Sequence, residues 1–257
     1  MAGVLLHLAM GEPEKLDPEE KAYSTSYKKA YTLGLLLPDI AKQRLIRDHD
    51  DFNLAFEGCD ETDILSYEEY LQFAGNNHFS PDPKNPEQQD TRNPDLFAYI
   101  NTSYVNLEKP LWQGVLCHLM GDKAFYYKSY CADDQRAMKD FENEVGKIEV
   151  WDGRKWRKSK TGKIYYGDYD VLNQRIENEY HVLQKISHYF SMESFELMLK
   201  CFHVSFSDER DEPVYMNREN IRKYISVSRR MMKEIEKGGI DQILQLFCGD
   251  SMDRFFA

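Results

Sequence analysis

His118 and Asp122 stand four residues apart in the segment LWQGVLCHLMGDKAF, residues 111–125, which is otherwise dominated by apolar side chains. Leu111, Val115, His118, Asp122 and Phe125 follow one another at helical spacings and share one face of an α-helix. An unpaired carboxylate on a buried face costs several kcal/mol, comparable with the net stability of a whole domain, so this one requires a compensating partner. Imidazole nitrogens and carboxylate oxygens are the normal donors to zinc and related divalent ions. Two compensations are open: a divalent metal held by His118 and Asp122, or a buried hydrogen-bonded His–Asp pair without metal. His7, Asp39 and His78 are the other polar groups in apolar or loop-edge settings, and they are the candidates to complete a site. Against this stands the ordinary fate of an isolated histidine in an apolar segment, a hydrogen bond inside the core.

The elements that must position these groups read as mainly helical. Residues 4–10 form a nearly all-apolar helix that contains His7. A second helix is expected over 26–36, stopping ahead of Pro38 because the residue before a proline disfavours the α region. A charged turn follows at 48–51, a short helix at 66–74, and a proline-rich loop at 76–94 that holds His78. Asn93-Pro94-Asp95 is a helix start leading into 97–105, and the central helix with His118 and Asp122 begins near Pro110. Residues 147–166 alternate around Asp152-Gly153 and Thr161-Gly162, which predicts two or three short strands, a β-hairpin inserted between helices. From Asp168 the helical pattern returns, with Leu172, Ile176, Leu183, Ile186 and Phe190 as one stripe and Asp170, Glu177, His181 and His188 towards another face. Further helices are expected over 194–203, 218–236 and near 241–247. With no repeat, low-complexity tract or linker, the expectation is a single multi-helix domain over residues 1–257.

Composition narrows the function classes. The 257 residues carry 33 basic and 44 acidic side chains, a net charge of −11, which argues against general nucleic-acid binding. The basic 147–163 insert, with its tryptophans and arginines, has the chemistry to hold phosphate or a single strand; in so acidic a chain it is read as a solvated hairpin. Five scattered cysteines without a CxxC pair argue against a thiolate zinc site and for a reducing compartment. The short N-terminal apolar run lacks a basic region and a cleavage site, and no stretch approaches the roughly 18 apolar residues of a membrane span, so the expected location is cytoplasmic.

The segments HLAMGE, LGLLLPDI, NHF, GVLCHLMGDKAFY and YYGDYDVLN occur in an order that resembles the zinc-dependent phospholipase C family, whose fold is shared with the P1-type nucleases. Small bacterial members of that family are the most similar, over roughly residues 1–175. The resemblance implies a mainly α multi-helix domain of phospholipase C/P1 nuclease type holding Zn²⁺ or another divalent metal. It places His7, Asp39, His78, His118 and Asp122 on metal-ligand positions, with Asp39 as ligand or general base. It also implies hydrolysis of a phosphodiester or phosphomonoester, in a small phosphoester or a lipid headgroup. The ion would lower the pKa of a bound water and polarise a phosphoryl oxygen, with Lys123, Lys128 or the 147–163 insert stabilising the phosphate charge.

The chain departs from the family pattern in three places. Lys128 stands where a histidine follows the H-x3-D motif, Lys185 and Met192 stand where an H-x3-E pair is expected after His181 or His188, and the ligating N-terminal tryptophan has no counterpart. Asp168, Asp170, Glu177 and His181 are candidates for a replacement second site, Glu177 and His181 being one turn apart; a solvated polar helix face is the competing reading. Two alternatives to the hydrolase remain. One is an HD-type phosphohydrolase using His7, His49-Asp50 and Asp122, and the other is a catalytically decayed metal-binding or interaction protein on the same scaffold.

Overall fold

The computed structural model describes residues 4–11, 24–76, 105–129, 149–154 and 156–202, together with 222, 225–227, 229, 230 and 233. In chain order the elements are α1 (Val4–Gly11), α2 (Thr25–Gln43), α3 (His49–Ala55), α4 (Tyr67–Asn76), α5 (Pro110–Ser129), β1 (Glu149–Trp151), β2 (Trp156–Lys158), α6 (Lys160–Tyr180), α7 (Val182–Ser187) and α8 (Met192–Phe202). The described chain is mainly α-helical, and no described helix is long and apolar enough to cross a membrane.

Leu5, Leu6, Leu8, Ala9 and Met10 leave α1 without a polar face, and each is buried, as is His7 among them. A helix apolar on every side is stable only inside a larger core. Here α1 packs against α2, α5 and α6. Among the described elements the most extensive contact is between α2 and α5, and two glycines make it close. A Cβ on Gly34 would lie 2.0 Å from the Leu111 carbonyl oxygen, and one on Gly114 would lie 2.2 Å from the Tyr31 carbonyl oxygen. The helices therefore meet backbone to backbone, and one turn beyond Gly114 this brings His118 to the Leu35 carbonyl.

Several expectations are corrected. Helix α2 does not stop before Pro38 but runs through it to Gln43, placing Asp39 inside the helix. A proline in a helix interior costs about 3 kcal/mol. Leu35, Leu36, Leu37 and Ile40 are all buried, and fully burying side chains of this size returns about 1.5–3 kcal/mol each, which outweighs the local penalty. The charged stretch at 48–51 is a helix start rather than a turn, because the Asp48 side chain accepts from the Asp51 N–H and caps α3. The hairpin is confined to two strands paired Glu149 to Lys158 and Trp151 to Trp156 around Asp152-Gly153. Thr161-Gly162 is no second turn: Ser159 Oγ accepts from the Gly162 N–H and starts α6 there, eight residues before the expected Asp168. The apolar stripe from Leu172 to Phe190 is broken at His181, which takes the left-handed conformation at φ 51° and separates α6 from α7.

The expected helices at 4–10, 66–74 and 194–203 are present as α1, α4 and α8, with shifted ends. A capping box closes the start of α4, Ser66 N–H donating to Glu69 and Glu69 N–H to Ser66 Oγ. The described residues between 222 and 233 are helical, as the pattern over 218–236 predicts. His78, the loop over 77–94, the helix over 97–104 and the short helix near 241–247 lie outside the described residues.

Candidate metal centre

Three helices converge on one buried group. Helix α1 supplies His7, α5 supplies His118 and Asp122 from consecutive turns, and α2 supplies the Leu35 carbonyl and Asp39. His7 is 0% exposed, His118 and Asp122 1% each and Asp39 3%, so all four lie inside the core. His7 Nε2 is 3.3 Å from Asp122 Oδ1, and His118 Nε2 is 3.6 Å from Asp122 Oδ2. The two imidazoles stack with centroids 3.6 Å apart and planes 11° from parallel. Gly121 makes room for this arrangement, since a Cβ there would lie 2.1 Å from Met10 Cε and 3.3 Å from His7 Nδ1.

The hydrogen bonds determine what the centre lacks. His118 Nδ1 is 2.8 Å from the Leu35 carbonyl oxygen, and an acceptor there requires that Nδ1 carry the proton. A neutral His118 then turns the bare lone pair of Nε2 towards an Asp122 carboxylate oxygen that is also an acceptor. Two acceptors facing each other at 3.6 Å need a cation, either a second proton on His118 or a metal ion. His7 adds to the demand. Its Nε2 is within ion-pair distance of Asp122 but out of hydrogen-bond alignment, and neither of its ring nitrogens makes a hydrogen bond. Buried ring nitrogens without hydrogen bonds are rare in native structures and call for an explanation such as a bound ion.

The protonation preferences are consistent with one positive charge shared over the group. Burial pushes His7 below the ordinary histidine value, and the neighbouring His118 lowers it further, outweighing the attraction of Asp122 and Asp39. Burial also works against His118, but hydrogen bonding and attraction to Asp122, the charge of Asp39 and the Leu35 carbonyl together raise it. For Asp122 burial opposes ionisation, and the two histidines more than reverse this, holding the carboxyl well below the usual range. The stacked rings disfavour two imidazolium ions side by side, so without a metal the positive charge falls on His118 and His7 stays neutral.

Among the described residues, the group of His, Cys, Asp and Glu side chains whose donor atoms could share one ion is His7, His118 and Asp122, with these atoms all within 4.8 Å of one another. Two imidazoles and a carboxylate are a fitting donor set for a divalent metal. The Nδ1-to-carbonyl bond of His118 is the kind of outer contact that fixes a ligating histidine's tautomer and orientation.

The remaining candidate residues are placed as follows. Asp39 lies close enough for its charge to act on both histidines, yet its oxygens are not among the atoms within 4.8 Å. His49 and Asp50 sit exposed on the first turn of α3, His49 packing edge-on against Tyr67, and neither joins the group. The side chains of Lys123 and Lys128, on the C-terminal half of α5, and His78 lie outside what is described. Asp168 is fully buried on α6, which packs on α1, and Asp170 is half-buried. Glu177 is committed elsewhere, its carboxylate accepting from the N–H groups of Leu183 and Gln184 at the start of α7, and His181 is exposed at the junction. Sequence reading missed the roles of Leu35 and Gly121. Leu35 acts through its backbone, which no residue type announces, whereas Gly121 beside Asp122 in an otherwise helical stretch was a visible sign of close approach. Protein-family models, curated proteins and solved structures were all compared with this chain, and none matches.

Proposed function

We propose that the protein is a divalent-metal-dependent phosphoester hydrolase, with zinc or a related ion held by His7, His118 and Asp122, on a helical scaffold of phospholipase C/P1 nuclease type. The observation that supports it best is the convergence of α1 and α5 on a buried donor set in which His7 makes no hydrogen bond through either ring nitrogen and His118 Nε2 faces the Asp122 carboxylate at 3.6 Å. The phosphoester half of the proposal rests on the order of motifs around those same residues. When bound, the ion would supply Lewis acidity, making water nucleophilic near neutral pH and drawing charge from a phosphoryl oxygen. The Leu35 carbonyl holds the His118 ring in register, and Asp122 holds the two histidines together. Asp39, buried on α2 outside the three-residue group, is the carboxylate assigned to take the proton from attacking water.

A second reading is favoured by the burial of the centre. Structural ions sit in closed ligand shells, whereas catalytic ions keep an open position, and no side chain of this group is more than 3% exposed. The two readings separate by metal analysis of purified protein combined with turnover of bis(p-nitrophenyl) phosphate and p-nitrophenyl phosphate. The hydrolase reading expects turnover that chelation abolishes and that Asp39→Asn lowers about 100-fold or more while metal is retained. Stoichiometric metal without turnover of either ester leaves the structural ion, and absence of metal removes both.

A further inference from the structure

Helix α1 carries His7, and the sequence leaves one of its last carbonyls short of a donor. The N–H that would extend the helical ladder to the Ala9 carbonyl belongs to residue 13, which is Pro13 and has none. Ala9 is 1% exposed, so its carbonyl needs a donor from elsewhere. Arg229 supplies one from 220 residues further along the chain, its guanidinium donating to the Ala9 oxygen at 2.6 Å. The Tyr31 hydroxyl of α2 donates to the Gly11 carbonyl at 3.3 Å. A cation at a helix C-terminus also meets the negative end of the helix dipole, so a guanidinium suits this place on both counts.

The segment that bears Arg229 is itself fastened. Ile225 and Val227 are buried in the core, and Arg222 is held by the Glu179 carboxylate with nitrogen–oxygen distances of 2.9 and 3.0 Å. The Arg229 guanidinium also lies over the Tyr180 ring, 5.8 Å from its centroid. Glu179 and Tyr180 close α6, so the helical residues between 222 and 233 bridge the end of α6 to the end of α1. Helix α1 depends on such ties. At eight residues it is too short to be stable alone, and its apolar contacts are non-directional, fixing neither its rotation nor its height. His7 requires both. It stands two residues before Ala9, and a slip of one residue would move it about 1.5 Å and turn it by about 100°. That is enough to lose the 3.6 Å stack on His118 and the 3.3 Å approach to Asp122.

We propose that Arg229 is a positioning residue for the buried centre: by holding the end of α1 it sets the rotation and height at which His7 meets His118 and Asp122. The effect on metal affinity rests on the reading of these three residues as the donors of one ion, whereas the placement of His7 is measured without an ion. Ring-nitrogen NMR of the full chain, carrying isotope-labelled histidine and stripped of metal, reports His7 directly, its signals being assigned with His7→Gln. Zinc affinity follows from competition with a chromogenic chelator. Arg229→Gln removes the guanidinium, Arg229→Lys keeps a cationic donor, and Ser66→Ala, which removes the cap of α4, controls for a general loss of stability. In Arg229→Gln the His7 signals should leave their wild-type positions and zinc affinity should fall about tenfold or more, the usual cost of losing a residue that orients a ligand. Arg229→Lys should recover most of both, and Ser66→Ala should change neither. Unchanged His7 signals in Arg229→Gln overturn the proposal, as does an equal change in Ser66→Ala. If the wild type takes up no zinc, the metal reading fails, and the His7 signals alone decide the role of Arg229. If Arg229→Gln does not fold, the wild type decides: by linkage, zinc should slow amide hydrogen exchange over 222–233 more than over α4, and equal slowing overturns the proposal.

Discussion

The contact between His118 and Asp122 shows how a single backbone hydrogen bond decides the chemistry of a pair. Because His118 Nδ1–H donates to the Leu35 carbonyl, the side of His118 that faces Asp122 needs a proton or a metal ion, and His7 is stacked where a second imidazolium is disfavoured. Asp122→Asn keeps the shape of the carboxylate and removes its charge. It should abolish stoichiometric metal binding and cost about 3–5 kcal/mol in urea unfolding, the usual penalty for breaking a buried charge pair. Unchanged metal content and stability would show that Asp122 is not the centre's anion. A second residue-scale prediction concerns Cys59, whose thiol burial pushes up to about 12. The unfolded thiol ionises near 9, so the stability it contributes is present below that pH and is lost as pH rises towards 12. Cys59→Ala should therefore flatten the alkaline limb of the stability–pH curve, and native Cys59 should resist iodoacetamide at pH 8 while the denatured chain reacts. A variant curve parallel to that of the wild type would contradict the assignment.

At the scale of elements, the contact between α2 and α5 sets the centre, because Gly34 and Gly114 let the backbones approach where His118 must reach Leu35. Gly114→Ala places a methyl group against the Tyr31 carbonyl, a neighbour that cannot rotate away. The expected loss is about 1–3 kcal/mol in chemical denaturation, accompanied by weaker metal binding as His118 is displaced from Leu35. Full stability and full metal affinity in this variant would show that the crossing is not needed. Much of this scaffold was legible in the chain: the apolar block at α1, the start of α5 at Pro110, and the one-turn spacing of His118 and Asp122 each follow from local pattern. What was misread failed for identifiable reasons. Pro38 obeys a local rule that the buried leucines on both sides overrule, Asp48 and Ser159 are caps whose neighbours look like turns, and the break at His181 depends on a left-handed residue that is not a glycine. Convergence of His7 with His118 could be anticipated from their apolar surroundings, but stacking and the orphaned nitrogens depend on how α1 lies against α5.

Across the whole molecule, the centre ties the N-terminal helix to the core through polar groups that are costly to bury when incompletely satisfied. An ion bound only by the folded state adds stability by mass action, about 2.7 kcal/mol when its free concentration is 100 times the Kd. Chelation should accordingly lower Tm by roughly 5–10 °C for a chain of this size, and re-addition of the metal should restore it. The central claim is tested most directly by elemental analysis of freshly purified wild-type protein alongside Asp122→Asn. Roughly one divalent ion per wild-type chain is expected, and less than about a tenth of that in the variant. A wild-type protein that carries no metal and takes none up on supplementation, or equal metal in both proteins, would contradict it.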